Sequence, residues 1–194
     1  NLVDLTSVFF SNPVKSMQAI DISHKKGVKY FAFDSFEELI KLNKVSKNIM
    51  PIFRIDVPNL GSDWPLTEKF GAYESDIKKI ITLAARNNLI ISGVTFHVGS
   101  QCRNSENWSI AIKKSISLIN ELTKLGFNIS VLNIGGGFPI PLTKPVPFFS
   151  SISEVITQEL KALGDDINIF AEPGRYLVGE SGFLVSEVIG ISVR

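Results

Sequence analysis

The sequence predicts an α/β chain of parallel βαβ units, read as a (β/α)8 barrel of which about six of the eight units are present. Three observations lead there. Short β-branched or aromatic runs alternate with longer amphipathic stretches along the chain. His97, the run Gly135–Gly137 and Glu172 each fall at the C-terminal end of a different strand-like run, where barrel sites are assembled. The rival, a doubly wound open sheet, calls for one glycine-rich turn of G-x-G-x-x-G spacing near the first strand, and that spacing is absent.

Strand-like runs lie at Ser7–Ser11, Lys29–Phe33, Ile49–Ile55, Ile90–His97, Ile129–Ile134 and Ile167–Ala171, with a last one at Phe183–Arg194. Helical patterns lie at Ser16–Lys26, Ser35–Val45, Glu74–Asn87, Asn104–Leu125 and Ser150–Leu163. In the fourth, Trp108, Ile112, Ile116, Ile119, Leu122 and Leu125 recur at three- or four-residue spacing and define an apolar face. Asp34 and Ser35 precede Glu37 and Glu38, the cap and first-turn acids that a helix N-terminus favours. Gly126 marks a helix stop. The stretch Asp56–Gly71, rich in Pro, Gly, Ser and Asp, reads as a long loop, a kind usually mobile or functional. Because the chain opens and closes inside strand-like runs, it is expected to be a fragment of a larger domain.

Composition narrows the function. With 44% hydrophobic residues over 194, the chain has enough apolar surface for a real core. A net charge of +1, from 20 basic and 19 acidic residues, makes no electrostatic case for nucleic acid or an anionic membrane. No stretch approaches the roughly 20 apolar residues of a membrane helix, and the opening residues lack the basic leader and apolar run of a signal peptide. Cys102 is the single cysteine, so no internal disulfide framework is expected, and with two histidines no metal site is expected either. Cytoplasm is the expected compartment.

The chemistry gathers in three segments. Ile134-Gly135-Gly136-Gly137-Phe138-Pro139 places three glycines at a strand exit, where backbone N–H groups can turn together toward a phosphate; a simple flexible exit is the alternative. Phe96-His97-Val98-Gly99-Ser100 offers an imidazole to stack on a flat ring or to move protons. The alternative is a satisfied core histidine, but Gly99 and Ser100 behind it suit phosphate contact and favour the site. Glu172-Pro173-Gly174-Arg175 ends what reads as a buried strand with a carboxylate that needs a donor there, and a pyridinium N–H would serve. A ring kept protonated in this way is an electron sink. Arg175 can reach a phosphate with its planar fork, or form a structural pair with Glu172. Together these residues suit a flat, phosphorylated, nitrogen-containing ring, with His97 and Glu172 as the catalytic pair.

Arg54, closing the third strand, is expected either to orient the cofactor or neighbouring side chains in the same mouth, as a cofactor-binding residue, or to pair with Asp56 or another acid. Lys15, after Pro13, is a poor candidate for a covalent lysine and reads equally as solvated. Lys69, on the long loop, is a weaker candidate still. His24 reads as a solvated surface residue and Cys102 as a bystander.

Phe10-Ser11-Asn12-Pro13-Val14-Lys15, Phe31-Ala32-Phe33-Asp34-Ser35, Lys69-Phe70-Gly71, Phe96–Gln101, Asn133–Pro139 and Glu172–Arg175 occur in family order. They resemble the fold-type III pyridoxal-phosphate decarboxylases of ornithine, lysine, arginine and diaminopimelate, whose domain is a TIM barrel of the alanine racemase-like type. The forms Phe-His-Val-Gly-Ser and Gly-Gly-Gly-Phe-Pro look most like the ornithine/lysine branch. The resemblance implies pyridoxal 5'-phosphate as cofactor. It implies that His97 stacks on the ring, that Glu172 pairs with the pyridine nitrogen, and that Ser100, Gly135, Gly136, Gly137 and Arg175 serve the phosphate. It further implies an amino-acid substrate, a diamine product for polyamine synthesis and a head-to-tail homodimer. The family's Schiff-base lysine lies on an earlier strand in a Tyr-Ala-x-Lys segment that this chain lacks, so Lys15 does not inherit that role. The family's C-terminal β-domain is likewise outside residues 1–194, which are read as part of the pyridoxal-phosphate barrel domain.

Overall fold

The structure is a computed structural model that describes residues 3–66, 69–142 and 144–192. Six strands, β1 (Phe9–Phe10), β2 (Tyr30–Phe33), β3 (Met50–Arg54), β4 (Gly93–Thr95), β5 (Val131–Asn133) and β6 (Asn168–Phe170), pair in sequence order. Every pairing is parallel. Helices α1 (Met17–Lys25), α2 (Phe36–Val45), α3 (Glu74–Arg86), α4 (Glu106–Lys124) and α5 (Phe149–Leu160) connect them in turn, and a short α6 (Gly174–Val178) follows β6.

The sheet is curled. In a flat sheet at the usual spacing, β1 and β6 would stand about 24 Å apart. Instead the Phe9 and Phe170 rings have centroids 4.9 Å apart, with Tyr30 stacked on Phe9 at 4.5 Å. Ser11 and Glu172, just past the same two edge strands, are in hydrogen-bond contact. Edges that meet across an interior make this a partial barrel, and the polar ends of all six strands converge on one rim.

Packing follows the periodicities. Trp108, Ile112, Ile119 and Leu122 of α4 are buried with Ile152 and Ile156 of α5, while Ile20, Leu39, Leu42, Ile80 and Ile81 fill the space under α1–α3. Leu125, expected on the α4 face, is exposed because it caps the helix beyond its last turn, and Gly126 follows at φ +89°. Ser35 Oγ caps α2 by accepting from Glu38 N–H at 3.3 Å.

Four expectations need correction. The Phe183–Ser192 part of the last predicted strand pairs with no strand among the described residues and is exposed, while Val193 and Arg194 lie outside the described residues. The run before Glu172 forms β6, but among the described residues it is an open edge and not a buried strand: no described residue covers its outer side, and Ile169 is exposed. Lys15 is not solvated, and it does not line the cleft at the strand ends. Its ammonium is buried against Glu38 (3.2 Å) and donates to the carbonyls of Asn12, Pro13 and Ala32, pinning the β1–α1 turn to α2. His24 is half-buried, with Nδ1 3.3 Å from the Val28 carbonyl. Within the Asp56–Gly71 loop, Thr67 and Glu68 lie outside the described residues.

Candidate functional site

Each strand delivers one polar side chain to the C-terminal rim, at its last residue or within two beyond it: Ser11, Asp34, Arg54, His97, Asn133 and Glu172. His97, Ser100, Gln101, Gly137, Phe138, Glu172, Pro173, Gly174 and Arg175 line a cleft of about 250 Å³ at this rim. Imidazole and acid therefore face one space. Another cavity, of about 220 Å³, has Asp34, Glu37, Asp76 and Lys79 in its walls between α2 and α3 and contains neither group.

The strand exits fit without slack. Glu172 N–H donates to the Gly135 carbonyl at 2.8 Å, which ties the β6 exit to the glycine run. Gly135 adopts φ +65°, a region that side chains rarely enter, and sits against the Phe96 carbonyl. A Cβ on Gly136 would run into the Glu172 carbonyl and come within 3.3 Å of His97 Nε2. Gly136 is thus the spacer between imidazole and acid. The loop after β3 reaches the same place, where Trp64 and Ser100 form an antiparallel bridge and Arg103 pairs with Asp63.

His97 Nδ1 accepts from the Gly99 N–H at 3.0 Å, which leaves the ring proton on Nε2. Burial, reinforced by the Arg54 charge, pushes His97 from its ordinary 6.5 down to about 4. The ring is therefore neutral at pH 7. The sign of the linked stability follows: between about pH 6.5 and 4 the unfolded chain binds the proton and the native one does not. Stability then falls as pH drops through that window, by up to about 3 kcal/mol. Urea unfolding at pH 7 and 4.5 is expected to show a smaller acid loss in His97→Phe than in wild type; equal losses would contradict the buried neutral imidazole.

Glu172 is held by side-chain donors. Asn133 Nδ2 donates to Oε1 and Ser11 Oγ to Oε2, both at 2.7 Å. Among the described residues Glu172 and Arg175 form no ion pair. Arg54 does not line the cleft. Its guanidinium donates to the Ser11 carbonyl at 3.3 Å and lies over the Phe70 ring. Burial pushes it down from its ordinary range, while Asp34 and Glu172 oppose the shift. The expected pairing with Asp56 is not formed; Asp56 is raised by its own burial, with Lys114 nearby in opposition. Lys69 lies outside the cleft lining. Cys102, buried behind Ser100, has its thiol pushed up by burial and sits between Asn104 and Asn107.

Ser11 and Asn133 had no role assigned from sequence, although both stand at strand ends where the barrel rule seeks functional groups. Gln101 was also missed. It takes φ +55° and locks its amide to both backbone groups of Ile140, forming the cleft wall.

The residues present fit a planar phosphorylated ring. Glu172 offers an anchored acceptor for a ring N–H, the neutral His97 a flat face, and Ser100, Gly137 and Arg175 anion donors along the same wall. These features define a cofactor-binding segment of a parallel barrel. The chain belongs to the pyridoxal-dependent decarboxylases, for residues 2–179 match the family model described as "Pyridoxal-dependent decarboxylase, pyridoxal binding domain". Its cofactor is pyridoxal phosphate.

The relatives agree. The lysine/ornithine decarboxylase of Selenomonas ruminantium is 31% identical over 193 residues, 99% of this chain and 49% of that protein. Antizyme inhibitor 2 of Xenopus laevis is 31% identical over 185 residues, 94% of this chain and 40% of that protein. Among solved structures, a mutant SrLDC in complex with PLP superposes with a TM-score of 0.81 at 30% identity, covering 90% of this chain and 46% of that one. The chain therefore spans less than half the length of the curated relatives that it matches. No helix among the described residues is long and apolar enough to cross a membrane.

Proposed function

We propose that the protein built on this chain decarboxylates a basic amino acid, L-ornithine or L-lysine, to a diamine used in polyamine synthesis. One observation carries the reading: Glu172 and His97 line one cleft, with the glycine run packed between their backbones. The names of the relatives support the substrate class.

When bound, the cofactor supplies an electron sink for the charge left on Cα as CO2 departs. The chain's own groups prepare that step. Glu172 would keep the proton on the ring nitrogen by accepting a charge-assisted hydrogen bond from that N–H. His97 offers its face to the ring and, being neutral, adds no second positive charge beside it. Ser100, Gly137 and Arg175 would hold the phosphate, while Gly135, whose N–H is already given to Asn133 Oδ1, and Gly136 would shape the strand exit behind it; Pro173 and Gly174 shape the turn that presents Arg175. Arg54, outside the cleft lining, orders the rim through the Ser11 carbonyl.

The same proposal places the covalent lysine on a strand before residue 1, within a domain that residues 1–194 fill in part. It places a C-terminal β-domain after residue 194, and joins two such chains head-to-tail in the cytoplasm. A second reading, a decarboxylase-like regulatory protein without catalysis, draws on the antizyme inhibitor among the relatives. Retention of His97, the triple glycine and Glu172 favours the enzyme.

The test is CO2 release by the purified whole protein supplied with cofactor, offered ornithine, lysine, arginine and diaminopimelate in turn. Turnover of ornithine or lysine above the others is expected. A protein without turnover on any of the four overturns the proposal.

A further inference from the structure

Ser11 joins the two charged groups of the rim. Its hydroxyl donates to Glu172 Oε2 at 2.7 Å, and its carbonyl accepts from Arg54 at 3.3 Å. The other oxygen of Glu172 is taken by Asn133 Nδ2 at 2.7 Å, and Asn133 is itself held where its Oδ1 accepts the Gly135 N–H at 2.9 Å. The carboxylate is thus gripped from β5 on one side and from β1 on the other, although those strands are four places apart in the sheet.

This grip has a geometric consequence. The last torsion of a glutamate is broad, so one hydrogen bond leaves its carboxylate free to rock. Two donors, one on each oxygen and from different strands, set its plane. Each oxygen keeps a further lone pair for another donor. Without Ser11 the bond to Oε2 is gone, and the plane is lost while the charge remains.

We propose that Ser11 is a positioning residue for Glu172: its hydroxyl fixes the direction in which the carboxylate presents a free lone pair to the pyridine nitrogen of the cofactor. Through its carbonyl it also keeps the Arg54 guanidinium on the same side of the rim. The inference rests on the pyridoxal-phosphate site described above and adds to it a residue from the far edge of the sheet. It explains why the curl of the barrel matters to the chemistry, since Ser11 reaches Glu172 only when the two edges converge.

The test uses the whole protein with cofactor labelled with 15N at the ring nitrogen, and compares wild type with Ser11→Ala and Ser11→Thr. Three quantities are read: the cofactor dissociation constant, the ring 15N resonance, and the melting temperature of the cofactor-free protein. Loss of one hydroxyl donor is expected to raise the dissociation constant about three- to tenfold. The same variant shifts the 15N resonance and leaves the cofactor-free melting temperature at its wild-type value. Ser11→Thr keeps the hydroxyl and restores the first two. Wild-type affinity and resonance in Ser11→Ala overturn the proposal alone. So does an affinity loss that tracks a lowered melting temperature in both variants, the mark of a merely structural role. A wild-type protein that takes up no cofactor overturns it together with the reading on which it rests.

Discussion

Replacing Glu172 with Ala in the whole protein is expected to lower kcat roughly 10²- to 10³-fold while leaving the fold intact. The magnitude is that of deleting one preorganised electrostatic partner from a site where charge develops. The fold is expected to survive because Glu172 takes no place in the apolar core and its carboxylate meets side chains alone, so water can take over the donors of Ser11 and Asn133. Glu172→Gln tests the same idea more finely. It keeps the volume, but its amide nitrogen must face either Asn133 Nδ2 or Ser11, and the negative charge that holds the ring proton is gone. Its kcat is expected nearer to that of the alanine variant than to wild type. Turnover, circular dichroism and cofactor absorbance on the three proteins check this. Near-normal turnover in Glu172→Ala would refute the assignment of the acid.

The second large effect is expected from a single methyl group. In Gly136→Ala the added carbon would run into the backbone carbonyl of Glu172 and crowd His97 Nε2. A backbone oxygen cannot swing aside as a side chain would. The β5 and β6 exits must therefore part, which strains the 2.8 Å hydrogen bond from Glu172 N–H to the Gly135 carbonyl. Overpacking of this kind costs about 1–3 kcal/mol. Because the displaced groups are imidazole and acid together, cofactor affinity is expected to fall about tenfold or more. Cofactor titration and urea unfolding measure both. A variant with wild-type affinity and stability would contradict the close fit between the two exits.

Much of this was legible from local pattern. The six strands and five long helices follow from alternation of apolar runs with amphipathic ones, and no boundary moved by more than three residues. His97, the glycine run and Glu172 could be singled out because each combines an uncommon residue type with a strand end. The remainder depends on long-range geometry. The Ser11–Glu172 contact spans 161 residues and exists because the sheet curls, which no window of sequence records. Lys15 looked free because its partner Glu38 belongs to the next helix and its other acceptors are backbone carbonyls. The Phe183–Ser192 run carries a strand's composition, but a strand also needs a neighbour, and among the described residues none is beside it.

A crystal structure of the whole protein with pyridoxal 5'-phosphate tests the central claim most directly. The account predicts the pyridine nitrogen within hydrogen-bond distance of the Glu172 carboxylate, the ring lying against the face of His97, and the phosphate against Gly137, Ser100 and Arg175. A cofactor seated elsewhere on the barrel, or one whose nitrogen faces away from Glu172, would contradict it.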